Sequence, residues 1–169
     1  MTKYIALLRA VNVGGTGKLP MAELKTMCEH AGFGNVRTFI ASGNVVFESR
    51  QTAKQVVAAL ESRLAAYASK PVGVLVRTGV EMAAVLAANP FANEPPNRVA
   101  AIFLDTAPAS DALDHATGRK GERIVLGTRE IYVHYGDGMA DTRLKIPAAK
   151  TGTARNMNTV AKLAAMAAD

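Results

Sequence analysis

Tryptophan is absent from the 169 residues, and aromatic side chains make up only 5% of them. A sheet that stacks single-stranded bases on an aromatic platform is therefore not indicated. Cysteine occurs once, as Cys28, which excludes a disulfide framework and any cysteine-built metal site. The three histidines, His30, His115 and His134, share no ligand spacing, so neither a metal nor a cofactor is expected. No run approaches the ~20 apolar residues a membrane span needs. Met1 to Ala10 also lacks the basic leader, apolar core and small-residue cleavage site of a secretory signal. The expectation is a cytoplasmic chain with no membrane partner. Its oligomeric state is not readable from these features.

What is present is a globular composition, with 49% hydrophobic and 20% charged residues, which argues against disorder. The formal net charge is +6, and it is unevenly spread. Residues 1–80 carry +6, residues 81–142 carry −4, and residues 143–169 carry +4. Basic ends around an acidic middle would make one positive surface if the ends meet, which suits an anionic partner. The bland alternative is ordinary solvated charge.

Periodicity gives the elements. Tyr4–Val11 is a short, nearly continuous apolar run, the pattern of a strand covered on both faces. Met21, Leu24, Met27, Cys28 and Ala31 recur at helical spacing behind Pro20, and Gly32 and Gly34 stop the run. Asn35–Ile40 and Asn44–Glu48 predict a hairpin around Ala41-Ser42-Gly43. Val56, Leu60, Leu64 and Tyr67 form one helical stripe, and Val72–Arg77 is a fourth strand. Strand, helix, strand, strand, helix, strand is the ferredoxin-like order.

The second half opens with a helix, Val80–Ala88, followed by a strand at Arg98–Leu104 and a short helix at Ser110–Thr117. A hairpin follows, with arms Glu122–Leu126 and Ile131–Tyr135. A final helix, capped by Thr153 or Asn156, runs to Ala168, and the last strand of the unit is missing or displaced. The fold class is α+β: two linked ferredoxin-like (βαββαβ-type) halves, the second one degenerate. Residues 1–78 form the first half. Residues 79–169 form the second, with the C-terminal helix packing back on the first. No sequence repeat is detectable; the duplication is one of element order.

Gly14-Gly15-Thr16-Gly17-Lys18 stands between a strand and a helix, where a phosphate-binding loop would lie. The P-loop spacing fails, because Asn12 and Leu19 occupy positions that need glycine and Ser or Thr. Successive glycine N–H groups can still form an anion nest, and a plain tight turn is the simpler alternative. Ala41-Ser42-Gly43-Asn44 lacks the flanking glycines of a nucleophile elbow, and no carboxylates form a compact acid–base pair. No catalytic constellation is legible. Arg9 is the sharpest single residue: it interrupts an apolar central strand, so its charge needs a partner or a cavity.

Three segments, YIALLRAVNVGGTGKLPMAEL (Tyr4–Leu24), VRTFIASGNVVF (Val36–Phe47) and TARNMNTVAKL (Thr153–Leu163), carry a resemblance. They are similar to the signatures LLRGINVGG…KLPM, Y-I-x-S-G-N-V-x-F and T-x-R-N-W-N-T-V of the bacterial family called domain of unknown function 1697. The resemblance implies two linked ferredoxin-like halves and no agreed activity. It carries over to Arg9, Asn12, Gly14, Gly15, Lys18, Ser42, Gly43, Asn44, Arg155, Asn156, Asn158 and Thr159. A further loop of the kind G-x-x-x-S-K-L appears as Gly138 through Thr142-Arg143-Leu144, keeping hydroxyl and charge. Ala10 replaces a frequent glycine, and Met157 replaces the usual tryptophan and its N–H donor.

The expected ligand-binding set is therefore Arg9, Asn12, Gly14, Gly15, Lys18, Ser42, Asn44, Arg143, Arg155, Asn156 and Asn158. Arginine and lysine would supply charge, and the amides and hydroxyls would supply hydrogen bonds. The partner would be an anionic small molecule or nucleic acid. Two other readings stand beside it: an enzyme acting on a small phosphorylated or carboxylated metabolite, and a purely structural polar network. Caps and local backbone bonds alone could account for Asn156, Asn158 and Thr159.

Overall fold

The computed structural model describes residues 1–9, 19–39, 43–136 and 142–168. Two compact units emerge, one of residues 1–82 with 163–169 and the other of residues 83–162. Each is built on a four-stranded antiparallel sheet.

In the first unit the strands are β1 (Thr2–Leu8), β2 (Gly34–Phe39), β3 (Asn44–Ser49) and β4 (Val74–Thr78), in the order β2-β3-β1-β4. That is the ferredoxin-like arrangement. Helices α1 (Met21–His30) and α2 (Ala53–Ala68) cover one face. The helical stripes bury Leu24 and Cys28 from α1, and Val56, Leu60 and Leu64 from α2. Tyr67 departs from the stripe and is about half exposed. The chain turns into α2 through a reciprocal cap: Gln55 N–H donates to Thr52 Oγ1 at 3.2 Å, and Thr52 N–H to Gln55 Oε1 at 2.9 Å. Phe47 on β3 stacks on Phe33 at 4.3 Å, so neither ring is offered to a partner.

Strand alternation buries the second face of this sheet as well. Ile5, Leu7, Val46 and Leu75 lie there with at most 2% exposure. The near-continuous apolar run in β1 follows from this two-sided burial. Arg77, directly opposite Ile5, is buried on that same face at 1% exposure.

The second unit repeats the order with β5 (Val99–Phe103), β6 (Arg123–Leu126), β7 (Glu130–His134) and β8 (Thr153–Asn156), arranged β6-β7-β5-β8. Helix α3 (Gly79–Ala87) precedes it and α4 (Met157–Ala168) ends it. The sequence pattern shows the last strand of this half as missing or displaced; β8 is that strand. It holds only Thr, Ala, Arg and Asn, a poor strand pattern, and its register against β5 is what fixes it. The helix expected at Ser110–Thr117 is a single 3-10 turn, Ala112–His115, and a second such turn, Pro147–Ala149, stands where the first unit has α2. Those two turns are the degeneracy of the second half.

The repeat extends beyond element order to individual residues. Ile5 faces Val46 and Arg77, while Ala101 faces Tyr132 and Arg155. Leu8 N–H donates to Gly43 O, and the matching Leu104 N–H donates to Arg129 O, both at 2.9 Å. Thr78 Oγ1 accepts from Glu81 N–H at 3.1 Å at the start of α3. Asn156 Oδ1 accepts from Thr159 N–H at 3.0 Å at the start of α4. The paired arginines also share a hydrogen bond to the preceding carbonyl: Arg77 Nη1 donates to Val76 O at 3.1 Å, and Arg155 Nη1 to Ala154 O at 2.9 Å.

Candidate functional site

Arg9 follows β1 directly, and its N–H donates to Gly73 O at 2.9 Å, extending the β1–β4 ladder by one step. Its side chain lies against Gly73. A Cβ placed there would stand 2.9 Å from Arg9 Cδ and 3.2 Å from Nη1, so glycine leaves the room that the Arg9 side chain occupies. Across the sheet, Asn44 opens β3, is fully buried, and donates from Nδ2 to Phe39 O at 3.0 Å. That bond closes the neck of the β2–β3 hairpin. Gly43, just before it, has φ of +83°, a value glycine adopts at little cost.

Arg9, Gly43, Asn44 and Gly73 thus mark one end of the first sheet. Asn12, Gly14, Gly15, Lys18 and Ser42 lie outside the described residues. Helix α1, which follows, begins at Pro20 without a side-chain cap.

The remaining expected residues belong to the second unit. Arg155, on β8, is 7% exposed, and its Nη1 also donates to Thr153 Oγ1 at 2.6 Å. Burial pushes its pKa down to about 10, the response of a cation moved out of water. Asn156 is committed through Oδ1 to capping α4, and Asn158 is exposed in the first turn of that helix. Met157 is buried, filling its site as a flexible apolar side chain.

Arg143 sits elsewhere, in a segment held by paired bonds between Thr117 and Lys145 (2.9 and 2.8 Å). Its carbonyl packs on Gly118, where φ is +71° and a Cβ would collide, and its side chain is exposed. Next to it, the Thr142 hydroxyl donates to Glu122 Oε2 at 2.5 Å. That bond, then the Lys120 N–H, holds the Glu122 carboxyl below the ordinary carboxylate range. The expected set thus divides: Arg9 and Asn44 share one sheet end in the first unit, while Arg143 and the Arg155–Asn158 stretch lie on separate segments of the second.

Sequence reasoning singled out neither Arg77 nor Arg37. Arg77 ends an apolar run as Arg9 does, and the same argument from an interrupted apolar strand would have found it. Arg37, on β2 opposite Val46, has a buried Nε without a hydrogen-bond partner. Its strand alternates too weakly for sequence to show which face it joins. Cys28 is buried in the first core, and burial pushes its thiol up to about 12, far from a reactive thiolate. Among the described residues no cluster of three potential metal ligands occurs, and no helix is long and apolar enough to cross a membrane.

Two ferredoxin-like repeats, with the expected residues gathered partly at strand ends, define an α+β protein of duplicated architecture. The chain belongs to the family described as "Protein of unknown function (DUF1697)", whose model matches residues 1–132. Among solved structures it is similar to the conserved bacterial protein SP0830 from Streptococcus pneumoniae. The two share 25% sequence identity at a TM-score of 0.82, covering 100% of this chain and 99% of that one. No curated protein matches the chain.

Proposed function

We propose that this protein binds an anionic ligand bearing a phosphate or carboxylate at the end of its first sheet. The observation that carries the reading is the seat of Arg9 over Gly73, beside the neck where Asn44 closes the β2–β3 hairpin. A guanidinium offers a rigid fork of donors matched to an oxyanion. Arg9 and Asn44 are the expected residues that the structure describes at this end. Asn12, Gly14, Gly15, Lys18 and Ser42, expected ligands from the sequence, would add a second cation, a second amide, a hydroxyl and glycine N–H groups, a donor-rich set suited to an anion. Arg143, Arg155, Asn156 and Asn158 enter this reading only as a secondary set.

For nucleic acid the reading narrows to backbone phosphates. The central strands of the first sheet are buried on both faces, which leaves no platform for stacked bases. Binding of that kind would weaken steeply with salt.

Thermal unfolding with inorganic phosphate, nucleoside triphosphates and short single-stranded DNA tests the proposal. A ligand at a hundredfold excess over its Kd stabilises the native state by about 2.7 kcal/mol. Wild-type protein should therefore gain several degrees with at least one probe. Arg9→Gln should remove the gain. Gly73→Ala should reduce it, because the new methyl displaces the guanidinium without removing its charge. A gain undiminished in both variants, or no gain with any probe, overturns the reading.

A further inference from the structure

At the opposite edge of the second sheet from its strand β8, a carboxylate, a guanidinium and an imidazole meet, the latter two against one aromatic ring. His134 closes β7, with its side chain 10% exposed, and its Nε2 stands 2.9 Å from Glu94 Oε2. Arg123 opens β6 directly opposite His134 in the ladder. Its Nη2 lies 3.3 Å from Glu94 Oε2 and 3.4 Å from His134 Nδ1. The guanidinium rides 5.2 Å over the Phe91 ring, which is tilted 40° against the imidazole at 5.7 Å. Phe91 and Glu94 both come from the connector between α3 and β5. That connector is shaped by Phe91 N–H to Asn89 Oδ1 and Glu94 N–H to Phe91 O, each at 2.9 Å.

We propose that Glu94, Arg123 and His134 form an acid-released latch, in which protonation of His134 expels the Arg123 side chain from its seat on Phe91 while Glu94 stays bound. The argument is one of donors and acceptors. With Nε2–H donating to Glu94, the neutral ring turns its Nδ1 lone pair toward Arg123. Protonation places a second N–H there, facing a guanidinium that has no acceptor to offer. Two cations then stand within hydrogen-bond range of each other and share the single Glu94 carboxylate, which neutralises only one of them.

Which cation yields is decided by exposure and by Glu94. The imidazole is nine-tenths covered and held at 2.9 Å by the carboxylate, whereas the Arg123 side chain is 55% exposed and long enough to leave. β5 adds no carboxylate to rescue the pair. It presents Val99 opposite His134, preceded by Arg98, whose Nη1 donates to Gly136 O at 3.2 Å. Acid therefore uncovers Phe91 and moves a positive charge outward, while the connector remains attached through an imidazolium–carboxylate pair.

Solution NMR between pH 8 and pH 5, the range in which imidazoles titrate, reads this directly. In the wild-type chain the Phe91 ring and Arg123 Nε–H signals should move together with the His134 imidazole signals. In His134→Gln both should stay fixed over that range. In Arg123→Gln, a substitution at an exposed side chain, the Phe91 ring should respond less than in the wild type, keeping only the shift that the adjacent imidazole itself causes. If the Phe91 and Arg123 signals stay still while His134 titrates, or move as much in His134→Gln, the latch is wrong.

Discussion

The first repeat covers its sheet with two full helices, the second with two single 3-10 turns, yet both hold the same strand order, register and helix caps. They differ again where strands end. Arg9, Gly43, Asn44 and Gly73 of the first repeat correspond to Asp105, Arg129, Glu130 and Thr151 of the second. One scaffold end thus offers a cation beside an amide, and its counterpart offers two carboxylates with one arginine. The backbone is shared and the chemistry is not, so an anion site is proposed for one end only. Arg77 and Arg155 teach the converse: a buried arginine kept at the same register point, before the same cap, in both repeats.

The largest expected effect comes from the unequal cores. Phe47→Ala removes a fully buried ring stacked on Phe33 and should cost about 3–5 kcal/mol in urea denaturation. Val133, its counterpart on β7, is also fully buried but loses only two methyl groups on going to alanine. That change should cost about 1–2 kcal/mol at the transfer value for buried methylenes. Equal costs would contradict the claim that the first repeat carries the heavier core.

The caps should behave alike. Thr78→Ala and Asn156→Ala each remove one side-chain cap and should each cost about 1 kcal/mol. A large cost at one and none at the other would break the residue-level equivalence of the repeats.

A smaller effect belongs to the second repeat alone. The Glu122 carboxyl is held below its ordinary range by the Thr142 hydroxyl, so its contribution is complete above the ordinary carboxylate pKa. It is lost as the pH falls through the lower folded value. Thr142→Val should flatten that acid-side loss in a stability-versus-pH series. An unchanged slope would remove the hydroxyl as the cause.

Much of this was legible in the sequence. The stripes that bury Leu24, Cys28, Val56, Leu60 and Leu64 are helical in period, and the β6–β7 hairpin is marked by Gly127 to Glu130. β8 was not legible, because Thr153, Ala154, Arg155 and Asn156 have no strand signature and only pairing with β5 defines them. The spacing over Ser110–Thr117 predicts a short helix, and a pattern of that length suits the 3-10 turn at Ala112–His115 equally well. Of the expected site, Arg9 stood out as a charge breaking an apolar strand. The seat that Gly73 makes for it comes from a residue 64 positions away and has no local signal.

Backbone amide NMR during titration with inorganic phosphate and then a nucleoside triphosphate tests the central claim most directly. The account predicts saturable shifts at Arg9, Gly43, Asn44 and Gly73, and none at Asp105, Arg129, Glu130 and Thr151. Shifts at both ends alike, at the second end alone, or at neither would contradict it.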